Sequence, residues 1–403
     1  FIMISQKLKE TVESPSSGVI RKMFEEGAAL KAKFGADKVF DFSIGNPDLD
    51  PPQKVLDAIK EVTAEESHLC HGYMPNAGYP EARKAMAAKT EKEQGVPVNF
   101  ENVVMAVGAA GALNVVMKTL LNQDDEVIVP CPYFAEYDHY INNHGGKIVR
   151  VNTKNDFGLD PYLIKDALSE KTAALLINSP NNPSGRIYTE EEIDSVVKVL
   201  NEHGKKTGRY PYLICDEPYR AITYNNKKVV PVFPKYENCV IVTSFAKNLS
   251  LPGERIGYLC LNPACKESKD FIAAAIFATR TLGYVNAPAF FQKVIAKSWD
   301  SECDYSLYEK RRNEICQIMD ETGYEYVVPE GAFYLFVKVP EKWGNDDMAF
   351  VNHLKTFNIL CAPGCSFGGK GYFRISYCVS EQTILNSKEA FKQANKWGEI
   401  WKF

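Results

Sequence analysis

The sequence predicts an α/β protein, with a large α/β/α domain on a mostly parallel sheet joined to a smaller α+β domain. Three observations predict it. Apolar runs of strand length alternate with amphipathic helical stretches through the middle of the chain, those runs are continuous, and 403 residues give room for more than one domain. A continuous apolar run marks a strand buried on both faces, which is what helices packed on either side of a parallel sheet produce.

Taken in order, SGVIRKMFEEGAALKAKFG, from Ser17 to Gly35, has helical apolar spacing and is followed by strand-like KVFDFSIG and turn-rich NPDLDPP. Residues 1–50 therefore read as an amino-terminal arm that also contributes to the small domain. Residues 51–289 are expected to form the large domain, with strands NVVMAVG, DEVIVPCP, GKIVRV, TAALLINSP, YLICDEP, NCVIVTSF and GYLCLNP and helices such as TEEEIDSVVKVLNEHG between them. Residues 290–403 are expected to hold an interdomain helix around YSLYEKRRNEICQIMDETG and then the small domain. Its elements are YEYVVPEGAFYLFVKV, a helix near MAFVNHLKTF, NILCAPG, YFRISYC and a final helix. No internal repeat, low-complexity tract or long linker interrupts this order.

Composition narrows the function. Hydrophobic residues are 45% and charged ones 24%, the mix of a folded globular chain and not of a disordered segment or a fibre. The net charge is -4 and Lys and Arg are scattered, so the electrostatic basis of a nucleic-acid binder is missing and small molecules are the expected partners. Of the eleven cysteines, Cys215, Cys260 and Cys361 sit inside apolar runs, where free thiols act as small hydrophobes; a reducing cytoplasm is expected. No C-x-x-C pair occurs, so neither zinc nor another metal is expected. The stretch FIMISQKLKE has four apolar residues before charge begins, too few for an export signal. No run approaches the roughly 18 apolar residues of a membrane span, and no membrane partner is expected.

In open parallel sheets ligands bind beyond the carboxyl ends of the strands, so polar residues directly after apolar runs are the candidates. Asp216 ends YLICD, with Tyr219 three positions on; on its own this carboxylate fits a turn or cap as well as catalysis. Ser244 and Lys247 follow NCVIVT, and Arg255 comes eight residues after the lysine. A loop lysine is ordinarily solvated, but desolvation and nearby cations turn it into a nucleophile able to form a Schiff base. Arg255 and Ser244 would offer charge and a hydroxyl to a phosphate. The small residues Gly108, Ala109, Ala110 and Gly111 stand between a strand and a helix, which serves tight packing or a phosphate held on helix-start N–H groups. Asn182, in NSPNNPSG, fits a turn and also the presentation of an amide to a ligand oxygen.

The set VGAAGAL, NSPNNPSG, CDEPYR, SFAKNLSLPGERIGY and YFRISY, in this order and spacing, resembles the class I/II pyridoxal-phosphate-dependent aminotransferases, the fold-type I family that contains aspartate aminotransferase. The similarity runs from SIGNPDLDPP near Gly45 to YFRISY near Arg374. The resemblance implies a fold-type I transferase with pyridoxal 5'-phosphate held as an aldimine on Lys247, which also moves the proton. It implies Asp216 on the pyridine nitrogen, Tyr219 and Asn182 on the ring oxygen, and Phe134 stacked on the ring. Ala109 and Ala110 amides, at the turn opened by Gly108, would bind the phosphate with Ser244 and Arg255. Tyr73, in HGYMPNAGYPEAR, would reach the phosphate of a neighbouring subunit, so a homodimer is expected. Arg374 would pair with the substrate α-carboxylate and Gly45 would lie over the substrate. Ala110 departs from the family, where many members carry a hydroxyl or a lysine.

The resemblance thus implies a transaminase, passing the amino group of an L-amino acid to a 2-oxo acid by a ping-pong mechanism. Carbon–sulfur lyases and other class I/II enzymes share the lysine and aspartate and are the alternative. Relatives that serve as effector-binding domains of transcription regulators are a weaker one, since 44 residues before Gly45 leave little space for a DNA-binding domain. Gly364 to Lys370 nearly spells a nucleotide-binding loop, but Gly371 replaces the required hydroxyl and a strand-like run follows, so it is read as coincidence. The turn at Gly108 lacks the G-x-G-x-x-G of a dinucleotide site.

Overall fold

A computed structural model describes residues 4–13 and 19–396 of the chain. Strand β1 (Phe40–Asp41) belongs to the small domain. Then β2 (Val103–Ala106), β3 (Glu126–Cys131), β4 (Lys147–Asn152), β5 (Thr172–Asn178), β6 (Tyr212–Asp216), β7 (Cys239–Ser244) and β8 (Gly257–Leu261) form one seven-stranded sheet in the order β2-β8-β7-β6-β5-β3-β4. These are the seven apolar runs expected of the large domain. Strand β8 runs antiparallel to β2 and β7, while β7, β6, β5, β3 and β4 pair in parallel.

Every residue of β5, β6 and β7 is buried, because successive side chains feed two different cores. Leu175, Ile177, Leu213, Cys215 and Ile241 point to one, which the helices Pro80–Gln94 and Glu190–Thr207 cover. Leu176, Ile214, Val240 and Val242 point to the other, under the helices Gly108–Leu120 and Ser268–Thr281. Local signals delimit these helices. The Thr189 hydroxyl accepts from the Glu192 N–H at 3.2 Å and the Glu192 carboxylate from the Thr189 N–H at 2.8 Å, a reciprocal cap for Glu190–Thr207. At its other end Gly208 takes a left-handed φ of 77°, which residues with a Cβ resist.

The small domain has its own core. Strands β9 (Tyr334–Lys338), β10 (Ile359–Leu360), β11 (Ala362–Pro363) and β12 (Tyr372–Ser376) form, among the described residues, a three-stranded sheet β11-β12-β9 and a pair in which β10 lies parallel to β1. Helices Ser306–Thr322, Asp347–Lys355 and Lys388–Lys396 close over Phe333, Leu335, Val337, Phe373 and Ile375.

Some expected elements are shorter. Of KVFDFSIG only Phe40–Asp41 pair, since the chain then turns over the cleft; of YEYVVP only Tyr326 bridges, to Val337. NILCAPG splits between two sheets at Cys361. A helix Gln6–Glu13 comes first, and the helix expected from Ser17 is described over Val19–Phe34; Ser17 itself lies outside the described residues. No helix of the described residues is long and apolar enough to cross a membrane.

From β3 the chain moves to β4 on one side and to β5, β6 and β7 on the other, so the order reverses between β3 and β5. The crevice beyond the carboxyl ends of those strands is where such sheets hold ligands.

Candidate active site

A cavity of about 1480 Å³ opens there, lined by Gly45, Phe134, Asn182, Tyr219, Lys247 and Arg374 among others. Its floor is made by the strand ends. Asp216, the last residue of β6, is 4% exposed; its Oδ2 accepts from the Tyr137 hydroxyl at 2.5 Å, and its Oδ1 has no partner among the described residues. Burial pushes this carboxyl up to about 7, against the opposing pull of the Tyr137 bond. Glu217, one residue on, is tied separately by the Arg220 guanidinium at 2.6 Å.

Lys247 leaves the end of β7 and its Nζ donates to the Gly45 carbonyl at 2.9 Å. Burial lowers its pKa to about 8, with the positive charges of Arg374 and Arg255 adding to the effect. The amine also lies 5.7 Å over the Phe333 ring. This is the environment that turns an ordinary ammonium into a usable nucleophile and base.

At the end of β2, Gly108 begins a helix with φ 68°, and a Cβ there would come within 2.8 Å of Arg255 Nη2. Ala109 and Ala110 lie in the first turn, where N–H groups find no carbonyl of their own helix. Ser244 is 5% exposed, and Arg255 takes a left-handed φ of 51°, an unfavourable backbone for a side chain of its kind. Bare backbone, a hydroxyl and a guanidinium thus meet in a small cradle suited to a phosphate.

The facing wall comes from the small domain. Arg374, on β12, is 5% exposed; Nη1 donates to Asn182 Oδ1 at 2.9 Å and Nη2 to the Ser43 carbonyl at 2.9 Å, while Nε has no partner among the described residues. Its guanidinium carbon sits 4.6 Å from the ring centroids of both Tyr334 and Phe367. Because Asn182 Oδ1 is committed to Arg374, the amide's NH₂ is left to donate. Asn182 itself is placed by Asn178, whose Oδ1 accepts from the Asn182 N–H at 2.7 Å and whose Nδ2 donates to the Asp216 carbonyl at 2.9 Å. Tyr219 is buried, and its hydroxyl lies 2.8 Å from that of Tyr334. Phe134 lines the cavity edge-on to Tyr137, with centroids 5.6 Å apart.

One expected residue stands elsewhere. Tyr73 is 94% exposed and lines a separate shallow depression with His71, Tyr284 and Asn286. Two residues absent from the sequence reading belong to the cleft. Tyr137 lies beneath it, donating to Asp216, and Tyr334, the one hydroxyl in the aromatic run AFYLF, lines it.

A family model described as aminotransferase class I and II matches residues 37–391. The chain is 31% identical to the aspartate aminotransferase of Bacillus subtilis (strain 168), covering 91% of this chain and 93% of that one. It is 30% identical to the probable aspartate/prephenate aminotransferase of Aquifex aeolicus (strain VF5), covering 97% and 98%. A crystal structure of an amino transferase from Eubacterium rectale superposes with a TM-score of 0.93 at 36% identity, covering 98% of this chain and 99% of that chain. Strand-end chemistry and whole-length similarity agree, and the chain belongs to the class I and II aminotransferases, pyridoxal-phosphate-dependent transferases with the aspartate aminotransferase fold.

Proposed function

We propose that this aminotransferase moves the amino group of an L-amino acid to a 2-oxo acid with Lys247 holding the cofactor and carrying the proton, Asp216 facing the ring nitrogen and Arg374 seating the substrate α-carboxylate. The observation that carries the reading is the buried, unpartnered Oδ1 of Asp216 beneath the cleft that Lys247 and Arg374 line. Leaving such an oxygen unpaired costs on the order of 1–3 kcal/mol, and a cationic ring N–H is the donor that would satisfy it. Gly108, Ala109 and Ala110 with Ser244 and Arg255 would hold the phosphate, Phe134 would cover the ring, and Tyr219 and the Asn182 NH₂ would reach the ring oxygen. Bound pyridoxal phosphate supplies an aldehyde that condenses with amines and a cationic ring that accepts electron density from the carbon losing its proton.

The chain's own residues do the rest. With its pKa drawn down to about 8, Lys247 Nζ exists in both protonation states near neutral pH and can take the substrate's α-proton and return it. The Gly45 carbonyl aims that nitrogen. Arg374, fixed by two carbonyl-type acceptors and two aromatic faces, orients the carboxylate by a bidentate pair that a lysine could not make.

Residues 51–289 form the cofactor-binding domain in this reading, and residues 1–50 with 290–403 complete the small one. The enzyme works as a homodimer in the cytoplasm, where its eleven unpaired cysteines stay reduced. The exposure of Tyr73, away from its own chain's cleft, supports its reaching the phosphate site of a partner protomer.

The relatives' names make aspartate the first donor to test. Adding it to the cofactor-loaded enzyme should convert the visible band to the pyridoxamine spectrum with one equivalent of 2-oxo acid released. Lys247→Ala should lower that rate by at least ~10⁴-fold. Turnover retained in Lys247→Ala would overturn the assignment.

A further inference from the structure

We infer that Tyr334 is a positioning residue that donates its hydroxyl hydrogen to Tyr219, and so couples the occupancy of Arg374 to the hydrogen bond Tyr219 makes with the cofactor's ring oxygen. The inference rests on the reading above of Tyr219 and Arg374.

The argument begins with one shared proton. The two hydroxyls are 2.8 Å apart, with Tyr334 2% and Tyr219 4% exposed, so no bulk water competes for the bond. A phenol has a single hydrogen. If Tyr219 gave it to Tyr334, none would remain for the ring oxygen; Tyr219 can donate into the cleft only while it accepts from Tyr334. Which way the bond runs is therefore functional.

The surroundings fix that direction. The guanidinium carbon of Arg374 stands 4.6 Å from the Tyr334 ring centroid, and a cation there makes the phenol a better donor and a poorer acceptor. Burial pushes the Tyr334 hydroxyl up to about 12 and lifts Tyr219 well above its ordinary value, with Arg374 opposing the rise in both. The other charged or titratable groups facing the pair are Asp216 and Tyr137, toward Tyr219, and Cys378, toward Tyr334. Gly45 makes room for the Tyr334 hydroxyl, since a Cβ there would lie 2.0 Å from it. A carboxylate seated on Arg374 would neutralise the charge that polarises Tyr334, weakening the donor behind Tyr219. Substrate binding on the small-domain wall would so be felt at the floor, by a route separate from the Asn182 amide, which Arg374 also touches.

The test is the pH titration of the visible band of the cofactor-loaded enzyme, with and without maleate as the carboxylate probe. Tyr334→Phe keeps the ring against Arg374 and removes only the hydroxyl. The midpoint should rise by about half a pH unit, because Tyr219 becomes a weaker donor to the ring oxygen, and the maleate-induced shift should fall by about half. In Tyr219→Phe the further change Tyr334→Phe should have no effect on the midpoint, a result a merely structural role would not give. A midpoint that falls or stays in place in Tyr334→Phe, or additive effects in the double variant, would overturn the coupling while leaving the Lys247 assignment intact. Wild-type protein that shows no pH-dependent visible band would overturn the assignment and the coupling together.

Discussion

The floor of the cleft and its small-domain wall both bury charge, and they handle it in opposite ways. On the floor, Asp216 has one oxygen without a partner among the described residues and Lys247 is stripped of most of its water, so both groups sit far from their ordinary titration ranges. On the wall, Arg374 already has an amide oxygen, a backbone carbonyl and two aromatic faces, with only its Nε unpartnered among the described residues. In the proposed assignment of cofactor to the floor and substrate to the wall, the difference matches how long each guest would stay. A cofactor that remains through the whole cycle can be the missing partner of the floor, while a substrate that comes and goes needs a wall that stands without it.

Breaking the floor gives the largest expected effect. Asp216→Asn should slow the half-reaction with an amino donor by about 10³-fold or more, measured by stopped-flow absorbance. The same change should stabilise the cofactor-free protein. A carboxyl whose folded pKa is about 7 binds more protons folded than unfolded between about pH 4 and 7, so its contribution to stability falls as pH rises through that window. Cofactor-free Asp216→Asn should lack that fall and exceed wild type at pH 8 by a few kcal/mol in urea unfolding. A variant less stable than wild type there would mean that the floor is not waiting for a partner.

Lys247 gives the mirror image. Its folded pKa of about 8 lies below the unfolded value near 10.5, so the unfolded chain binds the extra proton between the two and stability rises with pH across that interval. In cofactor-free protein the rise should amount to about 3 kcal/mol and be missing in Lys247→Met. Equal slopes in the two proteins would remove the contrast between floor and wall.

The wall should respond in binding more than in stability. Arg374→Lys should raise KM by roughly 10–100-fold with a smaller change in kcat, since one charge replaces a fork that grips both carboxylate oxygens. A loss confined to kcat would assign Arg374 to the chemistry of the floor. Smallest of all, Thr189→Ala removes the reciprocal cap of Glu190–Thr207 and should cost about 1 kcal/mol in thermal unfolding while leaving KM unchanged. It marks the scaffold against which the cleft variants are judged.

Much of this was legible before any coordinates. Six of the seven strands of the large sheet are buried and announce themselves as continuous apolar runs, the edge strand β4 being the exception, and Asp216, Asn182, Ser244 and Lys247 stand out because they follow such runs. Tyr137 and Tyr334 did not stand out. Each sits among other aromatics, and a phenol in an apolar run looks like core until its hydroxyl partner is known. The antiparallel course of β8 was equally silent, since an apolar strand reads the same in either direction.

By itself the sequence determined which segments are buried on both faces, which polar groups leave the strand ends, and which family motifs they compose, because side-chain periodicity and local spacing are properties of the chain alone. Only the tertiary structure decided that Arg374 meets Asn182 across 192 positions, that Tyr219 meets Tyr334 across 115, and that Asp216 Oδ1 has no partner among the described residues. Such pairings, and the pKa displacements that follow from them, depend on distance and on the exclusion of water, and both exist only once two domains have closed on a common cleft.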